Sequence, residues 1–250
     1  MRRHLPERPR RRRTTRSKGR RLRLVLASGL LAGGLSACSA GSNEFSGPAP
    51  QKSGPSVTYV SVTESEPAQP GDVRVSWPML FYRSALPSWA TAYELSVPSG
   101  WQFNESPLIS QLLALRPTVV TVELGLDEVF GGVGVSEFSA SLSQLLTALH
   151  TDGVPTVLVA NILPLPGSQA GASGVTGLIA AYNAAIAADS AAEGAVLVDA
   201  HGTFARALQA GEGVMAFGSS LTPLGETLMA RIFDAGARHR ALWRQLDRRS

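Results

Sequence analysis

Five short runs rich in valine and threonine recur along the chain with longer stretches of helical spacing between them, and this alternation constrains the fold more than any other feature. The runs are SVTYVSVT from Ser56, AYELSV from Ala92, TVVTVEL from Thr118, TVLVANI from Thr156 and AVLVDA from Ala195. Between them, Ser136 to Thr151 carries Phe138, Leu142, Leu145, Leu146 and Leu149 at helical spacing, with Ser136 as the expected N-cap and Gly153 just past the end. Val175 to Ala192 and the stretch from Leu221 or Thr222 to Leu246 also read as helices. Such an order predicts an α/β domain with a five-stranded parallel sheet covered on both faces, because parallel strands buried on two sides read as nearly continuous apolar runs. No repeat period is visible.

The first 37 residues stand apart. Of the 23 Lys and Arg, 12 precede Leu24, against one acid, Glu7, and an eleven-residue apolar run from Leu24 to Gly34 follows. That run is too short for a bilayer, which takes roughly 20 residues, but it suits the apolar region of a signal peptide. The tetrad Leu35-Ser36-Ala37-Cys38 resembles a bacterial lipobox, which implies cleavage before Cys38 and lipidation at its sulfur. Arg20-Arg21 also resembles a twin-arginine signal, although so Arg-rich a leader supplies such pairs by chance. Cys38 is the sole cysteine, so no internal disulfide can form.

Removing the leader reverses the charge. From Cys38 onward 11 Lys and Arg face 18 Asp and Glu, and 11 − 18 = −7. The basic pI therefore describes a removable segment, and a nucleic-acid partner is excluded. Residues 38–55, rich in Ser, Gly and Pro, read as a flexible tether holding the domain of residues 56–250 some 20 to 25 Å, roughly, from the membrane. The expected location is extracytoplasmic, anchored to the membrane through lipid on Cys38. The arginines of the last helix, Arg238 to Arg249, could touch anionic headgroups, although a solvated helix end with cations favoured by the macrodipole explains them better.

Chemistry in a parallel sheet gathers beyond the carboxyl ends of the strands. There the order of blocks resembles the SGNH/GDSL hydrolases, esterases and lipases on a flavodoxin-like three-layer sandwich. YVSVTES resembles the strand that runs into GDS, which puts Ser65 at the nucleophile. SVPSG resembles the second block, with Gly100 as an oxyanion donor. PTVVTVELGLDE resembles the run into GxND, with Asp127 at the Asn position. SSLTPLGETLMARIF resembles the DxxHLTPxGH block, with Ser220 at the His position and Phe217 at the Asp position.

These replacements remove the usual base and its orienting acid, and Asp127 puts a carboxylate where an amide donor should face developing negative charge. A like charge at about 4 Å costs roughly 4 kcal/mol at an effective dielectric of 20. The expectation is an envelope module with a degenerate catalytic centre that holds an acyl-ester or carbohydrate ligand, or a partner, in the old cleft. The alternative is an active serine esterase in which His201, with Asp199 two residues before it, replaces the lost base for Ser65. A third reading is a scaffold with no small-molecule role. Glu64, Asp127 and Glu128 could converge as a carboxylate cluster suited to Mg or Ca, but acids on loops are ordinarily just solvated; no metal site and no cofactor is expected.

Overall fold

The computed structural model describes residues 42–45, 56–64, 75–97, 107–166, 174–216 and 220–238, all within one compact unit, Cys38–Ser250. For 42–45 only the backbone is described. Five parallel strands follow the five expected runs: β2 (Thr58–Thr63), β3 (Thr91–Ser96), β4 (Val119–Glu123), β5 (Thr156–Ala160) and β6 (Val196–Val198). A sixth, β1 (Ser42–Phe45), pairs antiparallel with β3, giving the order β1-β3-β2-β4-β5-β6. The five parallel strands are those expected, and β1, from the segment read as a tether, adds an antiparallel strand at the edge beyond them. Backbone pairing to an open edge needs no apolar periodicity, so Ser-Asn-Glu-Phe carried no signal for it.

Seven helices are described: α1 (Trp77–Ala85), α2 (Leu108–Ala114), α3 (Leu126–Gly131), α4 (Val135–Thr151), α5 (Val175–Ala192), α6 (Ala200–Gln209) and α7 (Pro223–Arg238). Alternation along β2 decides the layers. Val60 and Val62 join the core beneath α2, α4 and α5, with Leu112, Phe138, Leu145 and Tyr182. Tyr59 points the other way, into the core beneath α1, α6 and α7, with Trp77, Phe81, Phe204 and Phe233. The Trp77 and Phe233 rings stack at 4.4 Å and clamp α1 to α7.

Helix α4 starts one residue earlier than expected. Gly134, with its carbonyl accepting from Glu137 and Phe138, is the N-cap in place of Ser136. The helix expected to run on to Leu246 is described as far as Arg238. Because β3 and β4 flank β2 on opposite sides, the chain switches direction across the sheet at β2, and the crevice beyond its carboxyl end is the natural binding position in such a fold.

Candidate active-site cleft

Glu64 is the first residue beyond β2, and its carboxylate organises the next block. It accepts hydrogen bonds from the backbone N–H groups of Gly125, Leu126 (3.0 Å) and Asp127 (3.0 Å), the turn that opens α3. Glycine is required at 125, where φ is +118° and an added Cβ would lie 2.8 Å from the Ile162 side chain. Burial, then the hydrogen bond and charge of Glu128, hold the Glu64 carboxyl well above the ordinary glutamate range, against the lowering effect of the Gly125 and Asp127 N–H groups. Glu128 is itself buried, so two acids share one enclosed corner at the end of β2. The Glu64 carboxylate thus reaches across to the β4–α3 turn and serves as its cap.

A second acidic group lies on the opposite face of the sheet, against α1 and α7. Glu123, the last residue of β4, has its carboxyl pushed up to about 8 by burial and by the charges of Glu226, Asp127 and Glu94, with the Trp77 indole opposing. Glu94 of β3 is 1% exposed and is pushed up to about 7 by burial and by Glu226. Glu226, in the first turn of α7, accepts the Trp77 backbone N–H at 2.7 Å. Sequence reasoning missed Glu94, Glu123 and Glu226. A usable signal existed: a glutamate inside a strand whose two faces are both covered has no solvent to point to.

The LTPLGE stretch is built as a helix start. The Thr222 hydroxyl accepts from the Gly225 N–H (3.2 Å) and donates to the Gly213 carbonyl (2.6 Å), Pro223 takes the first helical position, and Gly225 packs on the Val214 carbonyl. Ser220 is exposed on the segment before it, where its carbonyl accepts from Ala216 and Met215 bridges Leu221.

His201 lies in the first turn of α6, away from β2. Its backbone N–H donates to Asn161 Oδ1 (2.6 Å) and its ring Nδ1 is 2.8 Å from the Ile162 carbonyl, just past β5. A carbonyl only accepts, so Nδ1 carries the proton and Nε2 of the neutral ring offers a lone pair. β4 separates β5 from β2, so the two strand ends stand about 10 Å apart. Asp199 does not hold the imidazole. Its carboxylate caps α6 through the Gly202 N–H (2.9 Å) and accepts from Asn161 (3.1 Å), and these bonds, the Gly202 one foremost, keep it below the usual range.

The structure therefore brings the Glu64 and Glu128 carboxyls together, joins Asp127 to Glu64 through its backbone N–H, and sets His201 over the end of β5. Among the described residues no group of three or more His, Cys, Asp or Glu has an arrangement that could hold a metal ion. Ser65, Gly100, Phe217 and Cys38 lie outside the described residues.

A parallel sheet covered by helices on both faces, with its switch point at β2, defines an α/β domain of the doubly wound class. The sequence matches the GDSL-like Lipase/Acylhydrolase family over residues 65–226, and the chain belongs to that family. Its fold is similar to Axe2, an acetylxylan esterase from Geobacillus stearothermophilus (14% identity, TM-score 0.60, 72% of this chain and 93% of that one). It is also similar to LAE5, an alpha/beta hydrolase enzyme from the metagenome of Lake Arreo, Spain (14%, 0.59, 72% and 94%), and to a G-D-S-L family protein from Desulfitobacterium hafniense DCB-2 (17%, 0.57, 72% and 99%). No curated protein matches the chain.

Proposed function

We propose that the chain is an exported, lipid-anchored envelope protein whose GDSL-type domain holds an acyl-ester or carbohydrate ligand at the strand ends without turning it over. The observation that carries this reading is Ser220. It stands on an exposed segment at the position where the family places its base, and a hydroxyl cannot take a proton from Ser65 near neutral pH. Asp127 favours the same conclusion, since a carboxylate at the family's amide position opposes the negative charge an acyl-transfer intermediate would develop, yet a carboxylate accepts hydrogen bonds readily from sugar hydroxyls. A carbohydrate ester as ligand is also in keeping with Axe2, an acetylxylan esterase, although that likeness is one of fold. The anchoring half rests on the leader and Cys38. No helix among the described residues is long and apolar enough to cross a membrane.

The test is hydrolysis of a short-chain p-nitrophenyl ester by the full chain in detergent, beside Ser65→Ala and His201→Ala, with calorimetric titration of an acetylated xylo-oligosaccharide. Binding with turnover no greater than that of Ser65→Ala is the expected result. Turnover abolished by both substitutions would instead establish a rewired esterase, the reading favoured by the lone pair that His201 Nε2 keeps when Nδ1 carries the proton. Mass spectrometry of the membrane fraction checks the anchor: diacylglycerol on Cys38 is expected, and an unmodified or uncleaved chain refutes it.

A further inference from the structure

The antiparallel strand β1 sets where the membrane anchor leaves the domain. Its register pairs Ser42 with Leu95 and Phe45 with Ala92, so β1 enters the sheet at the carboxyl ends of the parallel strands and runs toward their amino ends. Leu95 is in turn level with Val62 on β2, two residues before Glu64. Neighbouring strands lie about 4.8 Å apart, so the entry point of β1 stands roughly 10 Å to the side of the end of β2. Only Ser39, Ala40 and Gly41 separate Ser42 from Cys38, and four residue steps span at most about 14 Å. Residues 38–55 as a coil would instead leave the domain free to turn, some 20 to 25 Å, roughly, from its anchor.

We infer that β1 is an orienting strap, which holds the strand-end edge of the domain, cleft included, toward the bilayer and turns the amino ends of the strands away from it. The inference rests on the lipid anchor at Cys38 proposed above, and not on what the cleft binds. Charge does not supply this orientation, because the chain from Cys38 onward carries 11 − 18 = −7 and is repelled by an anionic surface. Backbone pairing supplies it. The outer edge of β3 is a row of N–H and C=O groups that β1 satisfies, and that pairing fixes the end of the sheet from which the chain departs for its anchor. The headgroups of membrane lipids are then the first esters and sugars that the cleft meets.

The test places a fluorophore on the lipidated protein in vesicles, at Gly131→Cys or at Asp152→Cys, and measures energy transfer to an acceptor on the lipid headgroups. With lipid on Cys38, the introduced cysteine is the one free thiol. Gly131, exposed at the end of α3 with nothing within 4 Å of an added Cβ, marks the strand-end edge. Asp152, exposed between the end of α4 and the start of β5, marks the opposite edge. A six-residue strand is about 20 Å long, so transfer from Gly131 should exceed that from Asp152 about twofold or more. Asn43→Pro combined with Glu44→Pro removes the N–H groups of two adjacent strand residues, one of which faces β3, and should bring the two signals together. With lipid present on Cys38, equal transfer from the two sites, stronger transfer from Asp152, or a difference undiminished by the prolines would each overturn the inference alone. A Cys38 without lipid, seen by mass spectrometry, would overturn the anchor and the orientation with it.

Discussion

Gly225→Ala adds one methyl group at the point where α7 meets the rest of the domain, and the structure sets its cost. The new Cβ would lie 1.9 Å from the Val214 carbonyl oxygen and 3.0 Å from its carbon. Both atoms belong to backbone, so no rotamer change relieves the contact, and the segments must part by about 1 Å or more. Parting them strains the Thr222 N–H bond to the same carbonyl (3.1 Å) and disturbs the packing of Met229 and Phe233, both fully buried. Overpacking costs about 1–3 kcal/mol and a lost hydrogen bond about 1 kcal/mol, so the expected destabilisation is about 3 kcal/mol. In a domain of this size that lowers Tm by roughly 6–12 °C. Urea melts followed by circular dichroism and tryptophan fluorescence measure it, with Gly177→Ala as the control. Gly177 sits inside α5 with nothing within 4 Å of an added Cβ, so that change should stabilise by about 0.5–1 kcal/mol. If Gly225→Ala lies within about 0.5 kcal/mol of wild type, the close approach of Gly225 to Val214 is wrong and so is the account of this block as a packed helix start.

Global stability should also respond to pH. Glu94 and Glu123 bind protons more tightly folded than unfolded, so stability falls as pH rises from about 4.5 through about 8 and then levels off; a urea midpoint that is flat or rising over that window contradicts the burial of both acids. Asp199→Ala removes the α6 cap and should cost about 1 kcal/mol in the same melts, while Asp199→Asn, which can still accept from Gly202, should cost less. Tyr182→Phe loses the 2.6 Å bond from its hydroxyl to the Val133 carbonyl, for about 1 kcal/mol; no loss would mean that water replaces it.

The local chemistry of the chain determined a good deal without any tertiary information. Strands such as Thr156–Ala160, with all five residues buried, are legible because a sheet covered on both faces demands unbroken apolar character. Helix α4 is long enough for its period to show, and α5 is legible from its alanine-rich composition. The Thr222-Pro223 start of α7 and the order of blocks that identifies the family are likewise written along the chain. What is short or depends on distant partners was not legible. Helices α1, α2, α3 and α6 span ten residues or fewer, too few for periodicity to stand out, and β1 needs only a neighbour's open edge. Partnership was the other thing sequence could not assign. Asp199 stands two residues from His201 yet spends its hydrogen bonds on Gly202 and Asn161, while the imidazole turns to a carbonyl 39 residues away. Glu94, Glu123 and Glu226, remote in the chain, meet under one helix because strand order and helix docking bring them there. Residue type and spacing set which elements form; only the packed fold sets the dielectric and the neighbours that decide what a carboxyl or an imidazole in those elements can do.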